Sequence, residues 1–177
     1  IHKPFNSKLP SRRVVVPHLN YLWQADLLDM KNISNENDGV KYLLTCIDVF
    51  SKLAWIIPLK SKTAAEVLEA VKSITTKTNP IHLQTDQGTE FFNKYMREYL
   101  KAQNINIYAT KSAKKASIVE RFNRTFRDKI ERYFTFTNSK RYIDILEKFV
   151  RGYNNSYHRS IKTKPTSVTL KNSTSVF

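Results

Sequence analysis

The spacing of apolar positions along this chain switches between alternation and a three-to-four-residue period, and each switch marks a predicted element. Residues 21–30 alternate well enough for a strand. Asn32 to Gly39 gathers turn-forming residues. Tyr42 to Phe50 is almost wholly apolar or β-branched, as a central strand should be. Ser51-Lys52 predicts a tight reversal, and Leu53 to Leu59 a strand running back. Pro58 places that strand at a sheet edge, where a missing ladder donor is harmless. The chain thus opens with a predicted three-strand antiparallel meander.

Helical spacing takes over next. Thr63-Ala64-Ala65-Glu66 is a capping-box pattern, and the helix it opens is expected to run to Asn79-Pro80. Ile81 to Thr85 is a short strand. A second helix is expected from Thr89 or Glu90, with Phe92, Tyr95, Met96, Tyr99 and Leu100 on its apolar side. Ile105 to Ala109 is another strand, and residues 111–117 form a basic loop of small residues. Two helices close the pattern, about Ile118 to Tyr133 and about Lys140 to Tyr153. This order predicts an α/β fold, a five-stranded mixed sheet flanked by helices. Right-handed crossovers set the fourth strand parallel to the first. If these two are neighbours, Asp26 and Asp86 come to lie side by side.

Composition divides the chain into a basic linker (1–20), a core (21–155) and a basic polar tail (156–177). Lys and Arg outnumber Asp and Glu by 30 to 15, which points to a polyanionic partner. Residues 94–164 alone carry 18 basic against 6 acidic side chains. Cys46 is the only cysteine, which excludes a disulfide framework. With His2, His18, His82 and His158 scattered, a structural zinc site is not expected either. No apolar run approaches the ~20 residues of a membrane span, and no secretion signal is legible. Because the chain starts at Ile1 rather than Met, it reads as a piece of something longer.

In so basic a chain, three acids stand out by position. Asp26 lies within the first strand, Asp86 follows the fourth, and Glu120 sits on the long helix. On a wheel of about 100° per residue, Val119, Phe122, Phe126, Ile130 and Tyr133 share one stripe. Glu120, Arg124 and Arg127 fall opposite, with Asn123 at their border. Taken alone, Glu120 and Arg124 are an i,i+4 surface pair worth about 0.3–0.5 kcal/mol. Taken with two positioned aspartates, Glu120 completes a set of hard oxygen donors suited to Mg²⁺ or Mn²⁺.

Three stretches resemble the catalytic core of retroviral-type integrases: Tyr42 to Lys52, Asp86-Gln87-Gly88-Thr89-Glu90-Phe91, and Val119 to Thr125. Tyr153 to His158 and Lys164-Pro165 fit as well. Trp23-Gln24-Ala25-Asp26-Leu27 and Arg141-Tyr142-Ile143-Asp144 look most like the integrases of Maverick/Polinton DNA transposons, with gypsy-type retrotransposon integrases next. The resemblance implies an RNase H-like fold and a D,D,E triad falling on Asp26, Asp86 and Glu120. It implies two divalent metals per site, 3′-end processing by water and strand transfer by a 3′-hydroxyl. DNA would be the partner, both element ends and target, with the protein at least dimeric and at work in the nucleus. Two departures are visible. The 33 residues between Asp86 and Glu120 are fewer than the family often has, and the loop before Glu120 lacks the usual glycine.

The expected DNA contacts are Lys111, Lys114, Lys115, Arg121, Asn123, Arg124 and Arg127. Such phosphate contacts supply affinity and salt dependence rather than sequence choice. Two other readings remain open: a non-catalytic DNA-binding or multimerising core, and an RNase H-like nuclease. Asp29 is out of phase with Asp26, Asp48 reads as structural, and Glu90 as an acid in a helix's first turn. Gly88 is expected to supply a backbone conformation that other residues would strain, and His82 to be a core histidine.

Overall fold

A computed structural model describes residues 14–109 and 116–173. Five strands form one sheet: β1 (Leu22–Asp29), β2 (Tyr42–Asp48), β3 (Ala54–Leu59), β4 (His82–Thr85) and β5 (Asn106–Ala109). Their spatial order is β3-β2-β1-β4-β5. The first three pair antiparallel, while β4 joins β1 in parallel and β5 joins β4 in parallel. Helices α1 (Ala64–Thr75), α2 (Lys94–Ala102), α3 (Ser117–Thr137) and α4 (Leu146–Asn154) complete the fold.

Strand alternation sorts the core onto two faces. Trp23, Ala25, Leu44 and Cys46 point to the side covered by α1 and α2, where Val67, Val71, Met96 and Leu100 meet them. Leu28, Leu43 and Ile47 point to the other side, against Val119, Phe122, Phe126 and Ile130 of α3 and Leu146 of α4. Trp23 is fully buried with its ring 4.4 Å from that of Trp55. A third cluster joins Leu22, Val49 and Phe50 to Val16, Ile161 and Val168. Apolar packing therefore continues beyond both points where the composition changes.

Several boundaries differ from those expected. Helix α1 stops at Thr75 rather than near Asn79-Pro80. The Thr75 hydroxyl bonds back to the Val71 carbonyl at 2.9 Å, and the β-branched run that follows is a poor helix former. The α1 capping box is altered too. Thr63 accepts from the Glu66 amide at 3.4 Å, but the Glu66 carboxylate reaches past Thr63 to the amides of Lys60 and Ser61 at 2.6 and 2.8 Å. Helix α2 starts at Lys94, not at Thr89 or Glu90, because Asn93 takes the cap and accepts from the Met96 amide at 3.0 Å. Helix α3 is longer than expected and ends at Asn138, which is left-handed at φ 49°.

The expected helix from Lys140 is replaced by a 3-10 turn (Ile143–Ile145) leading into α4. Its backbone is claimed by Asn37, which is fully buried. The Asn37 Oδ1 accepts from the amides of Tyr142 and Ile143 at 2.7 and 3.1 Å. Its Nδ2 donates to the carbonyls of Ile33 and Lys140 at 2.7 and 2.9 Å. Arg141 closes the clasp from outside, bonding Asp38 through two nitrogens at 2.8 and 3.1 Å and Asp144 at 2.5 and 2.9 Å.

At the outer edge of the sheet, the Asn154 side chain pairs with β3 as a neighbouring strand would. Its Oδ1 accepts from the Ala54 amide at 2.9 Å and its Nδ2 donates to the Ala54 carbonyl at 2.8 Å. Pro58 lies on this same edge strand, as its missing donor requires.

Candidate active site

The site lies where the carboxyl ends of β1 and β4 meet the first turn of α3. In the parallel pairing Gln24 stands opposite Gln84. Residues two further along each strand share the same face, so Asp26 and Asp86 come side by side beneath α3. Glu120 hangs from that helix's first turn. Asp26 is half-buried, whereas Asp86 and Glu120 are exposed.

Asp26 is fixed from two directions. Its Oδ1 accepts from the Leu27 amide at 2.9 Å, and its Oδ2 from Asn123 Nδ2 at 2.8 Å. Its carboxyl is nonetheless held above the usual carboxylate range, first by burial and further by the charges of Asp86 and Glu120, while the Leu27 and Asn123 bonds pull the other way. Asp86 starts an Asx turn, its Oδ1 accepting from the Gly88 amide at 3.1 Å. Glu120 makes no ion pair among the described residues, so the Arg124 pairing read from the helix wheel does not close.

What sets α3 at this height is a glutamine pair. The α3 N-cap, Ala116, offers no side-chain acceptor. In its place Gln24, 1% exposed, accepts from the amides of Ile118 and Val119 at 3.0 and 3.1 Å. Its Nε2 donates to Gln84 Oε1 at 2.8 Å. One buried amide thus ties β1, β4 and α3 together directly under the three acids. Both glutamines lie two residues before an aspartate, and that shared offset was the available sequence signal.

The expected DNA-binding residues divide. Arg121, Arg124 and Arg127 are exposed on α3. Asn123 is buried beneath Asp26, with its Oδ1 lacking any partner among the described residues. Lys111, Lys114 and Lys115 lie outside the described residues. The remaining acids sort as follows. Asp29 is exposed and pairs with Lys31 at 3.0 Å, and the Lys31 amide and ammonium hold its carboxyl low. Asp48 is fully buried and accepts from the Ser51 amide and hydroxyl at 2.8 and 2.6 Å. Burial pushes its carboxyl up.

Three smaller expectations change. Gly88 is not left-handed; a Cβ there would fall 2.6 Å from the Glu90 carboxyl carbon, the mobile end of a side chain that can turn aside. Glu90 precedes α2 and lies in a separate turn, closed by the Phe91 and Phe92 amides on the Gly88 carbonyl, both at 3.1 Å. His82 is half-exposed rather than core, its ring edge-on to Tyr21 at 5.0 Å and to Tyr108 at 6.2 Å.

A basic group that the sequence pattern does not single out adjoins α3. Lys52 is 7% exposed, left-handed at φ 64°, and donates from Nζ to the Val49 carbonyl. Burial lowers its ammonium to about 8, with Arg121 acting in the same direction and Asp48 opposing. His158 is held below its ordinary value by burial, then by Lys52 and Arg121.

The donor set suits a hard divalent cation in kind, being all carboxylate oxygen. A cation would also relieve the repulsion that Asp26 feels. As the side chains stand, no three His, Cys, Asp or Glu among the described residues are gathered closely enough to hold a metal ion. Asp26 is meanwhile occupied by Leu27 and Asn123.

Residues 17–115 match the integrase core domain model, more than half of the chain. The chain belongs to the integrase core domain family. An uncharacterized transposon-derived protein of Caenorhabditis elegans is 38% identical to this integrase core over 141 residues, which are 78% of the chain and 49% of that protein. The Gag-Pro-Pol polyprotein of Human T-cell leukemia virus 2 is 26% identical over 69% of the chain and 8% of its own length. The integrase core thus spans about half of one relative and a small part of the other. Among solved structures, the HTLV-2 integrase catalytic core domain in complex with magnesium superposes with TM-score 0.68 at 20% identity, over 84% of this chain and 95% of that one. A chain of the simian T-cell lymphotropic virus intasome superposes with TM-score 0.72 at 19% identity, over 88% and 55%. The fold is the RNase H-like fold of retroviral integrase cores.

Proposed function

We propose that this chain is the catalytic core of a DNA integrase, a polynucleotidyl transferase that processes 3′ ends and transfers strands. The observation that carries the reading is the convergence of three acids from distant parts of the chain: Asp26, whose carboxyl is raised first by burial, also feels the charges of Asp86 and Glu120. Crowded like charges are costly unless a cation is to be held there. Asp26, Asp86 and Glu120 would hold Mg²⁺ or Mn²⁺, two ions per site. When bound, such ions lower the pKa of an attacking water or 3′-hydroxyl and stabilise the leaving oxygen. Leu27 and Asn123 orient Asp26, and the Gln24–Gln84 pair sets Glu120 against it. Arg124 and Arg127, together with Lys111, Lys114 and Lys115, would bind DNA phosphates. The element would be of the Maverick/Polinton type, with gypsy-type retrotransposons next, a reading supported by the Trp23 to Leu27 and Arg141 to Asp144 stretches. The protein would act as a dimer or larger multimer, in the nucleus, on element ends and target DNA.

One observation favours a second reading, a non-catalytic DNA-binding core: the triad stands open as placed. A single experiment separates the two. Mn²⁺-dependent disintegration of a branched DNA is measured with wild type and Glu120→Gln. Activity in the first and none in the second supports the transferase. A folded wild type that binds DNA but leaves the branch intact supports the second reading.

A further inference from the structure

A groove on the far side of the sheet's carboxyl end has no part in the site described above. It has a volume of about 570 Å³ and is lined by Lys31, Ser34, Lys41, Tyr42, Lys60 and Lys62, among others. These residues come from the end of β1, the start of β2, the end of β3 and the approach to α1. Four ammonium groups in one concavity would normally be offset by acids. Three acids lie within electrostatic reach of the lysines and offset them in part, but none forms an ion pair with Lys41, Lys60 or Lys62. Asp29 is taken by Lys31 at 3.0 Å. Asp38 is bonded through both oxygens by Arg141 at 2.8 and 3.1 Å. Glu66 receives the Lys60 and Ser61 amides and the Ser61 hydroxyl at 2.6, 2.8 and 2.5 Å. Lys41, Lys60 and Lys62 are exposed and form no ion pair among the described residues.

We infer that this groove is a second DNA-backbone site, in which Lys41, Lys60 and Lys62 bind phosphates of a duplex engaged at the triad. The inference rests on the proposed function for its choice of DNA among polyanions. The geometry supplies the reach. Asp29, beside the groove, is three residues beyond Asp26, about 10 Å along the strand. Crossing from β1 to β3 adds two strand spacings, again about 10 Å. A displacement of roughly 15 Å corresponds to four or five base pairs at about 3.4 Å per step. Because Tyr42 packs on the face opposite Asp26, a duplex with one phosphate at the triad reaches the groove by passing around the end of the sheet, a path of this length in its plane. Lysine ammoniums act there as point charges, so they add affinity and register without reading bases.

The test is fluorescence anisotropy of a labelled 30-base-pair duplex in EDTA across a salt series. It compares wild type, the triple variant Lys41→Gln/Lys60→Gln/Lys62→Gln, and a charge-matched control, Lys77→Gln/Lys94→Gln/Lys101→Gln. All six positions are exposed, and thermal melts confirm that each protein is folded. The groove variant should bind at least ten-fold more weakly at low salt. Its plot of log K against log salt should be shallower by about 2 to 3, near 0.9 for each phosphate no longer neutralised. The control should match wild type. An unchanged slope in the groove variant, or an equal weakening in the control, overturns the site. Because no metal is present, the result is independent of whether Glu120→Gln abolishes disintegration.

Discussion

Gln24 Nε2 donates to Gln84 Oε1 at 2.8 Å while Gln24 Oε1 caps the amides of Ile118 and Val119. No other described side chain caps α3. Gln24→Leu should therefore leave the Ile118 and Val119 amides without their acceptor in a buried setting, costing about 1–3 kcal/mol of stability. Amide hydrogen exchange at Ile118 and Val119 should accelerate more than exchange in the second half of α3. Disintegration should fall by an order of magnitude or more as Glu120 loses its fixed height. Unchanged exchange at those two amides would sink this account.

Asp26 gives a pH signature. Its folded carboxyl is raised above the ordinary value of 3.8. The associated stability is present below that value and is lost as pH rises through the folded pKa. Asp26→Asn removes the titration. In EDTA, the variant should melt higher than wild type at pH 7, and the gap should narrow towards pH 4. Asn123 can accommodate the change, because its unpartnered Oδ1 can accept from the new amide once its own side chain turns over. The same variant should have no transferase activity.

Lys52 predicts the opposite slope at alkaline pH. Its ammonium lies at about 8 in the folded protein, against an ordinary value of 10.5. The stability it contributes is fully present above the ordinary value and is lost as pH falls through about 8. Comparing wild type with Lys52→Met by urea denaturation from pH 7 to 10 should show wild type gaining on the variant as pH rises. A gain on the order of 2–3 kcal/mol is expected at about 1.4 kcal/mol per unit. A parallel pair of curves would show that the buried amine does not titrate.

The Asn37 clasp should be as sensitive as any apolar core position. Asn37→Ala removes four hydrogen bonds to buried or half-buried backbone. A loss of about 2–4 kcal/mol in urea is expected, at roughly 1 kcal/mol per bond or slightly less. Asn37→Asp should be nearly as harmful, since a carboxylate cannot donate to the Ile33 and Lys140 carbonyls. A variant within about 0.5 kcal/mol of wild type would show the clasp to be dispensable.

The meander, the parallel fourth strand and the edge position of Pro58 were legible because alternation and chain order determine them locally. The mutual approach of Asp26 and Asp86 followed from the handedness of the crossover. What stayed hidden depends on partners far along the chain. Gln24 acts on amides 94 and 95 residues away, and Asn37 on amides 105 and 106 away. No periodicity reports such pairings, so the true start of α4 and the cap of α3 were not legible. Asn123 falls among the expected DNA-binding residues because the helix wheel puts it at the polar border. The structure turns it inward, where the half-buried Asp26 needs a donor.

The Asn154 side chain has a consequence for how copies of this protein can meet. The carbonyls of Leu53 and Leu59 bond inward to β2, which leaves positions 54, 56 and 58 facing out. Asn154 occupies Ala54, and Pro58 has no hydrogen to give. Only Ile56 retains an outward amide, too little for a visiting strand to register against. The sheet is therefore terminated on this side by the chain's own side chains. Open-ended growth by strand addition at β3 is closed off, and any assembly that forms there has to rest on side-chain contacts rather than on an extended sheet.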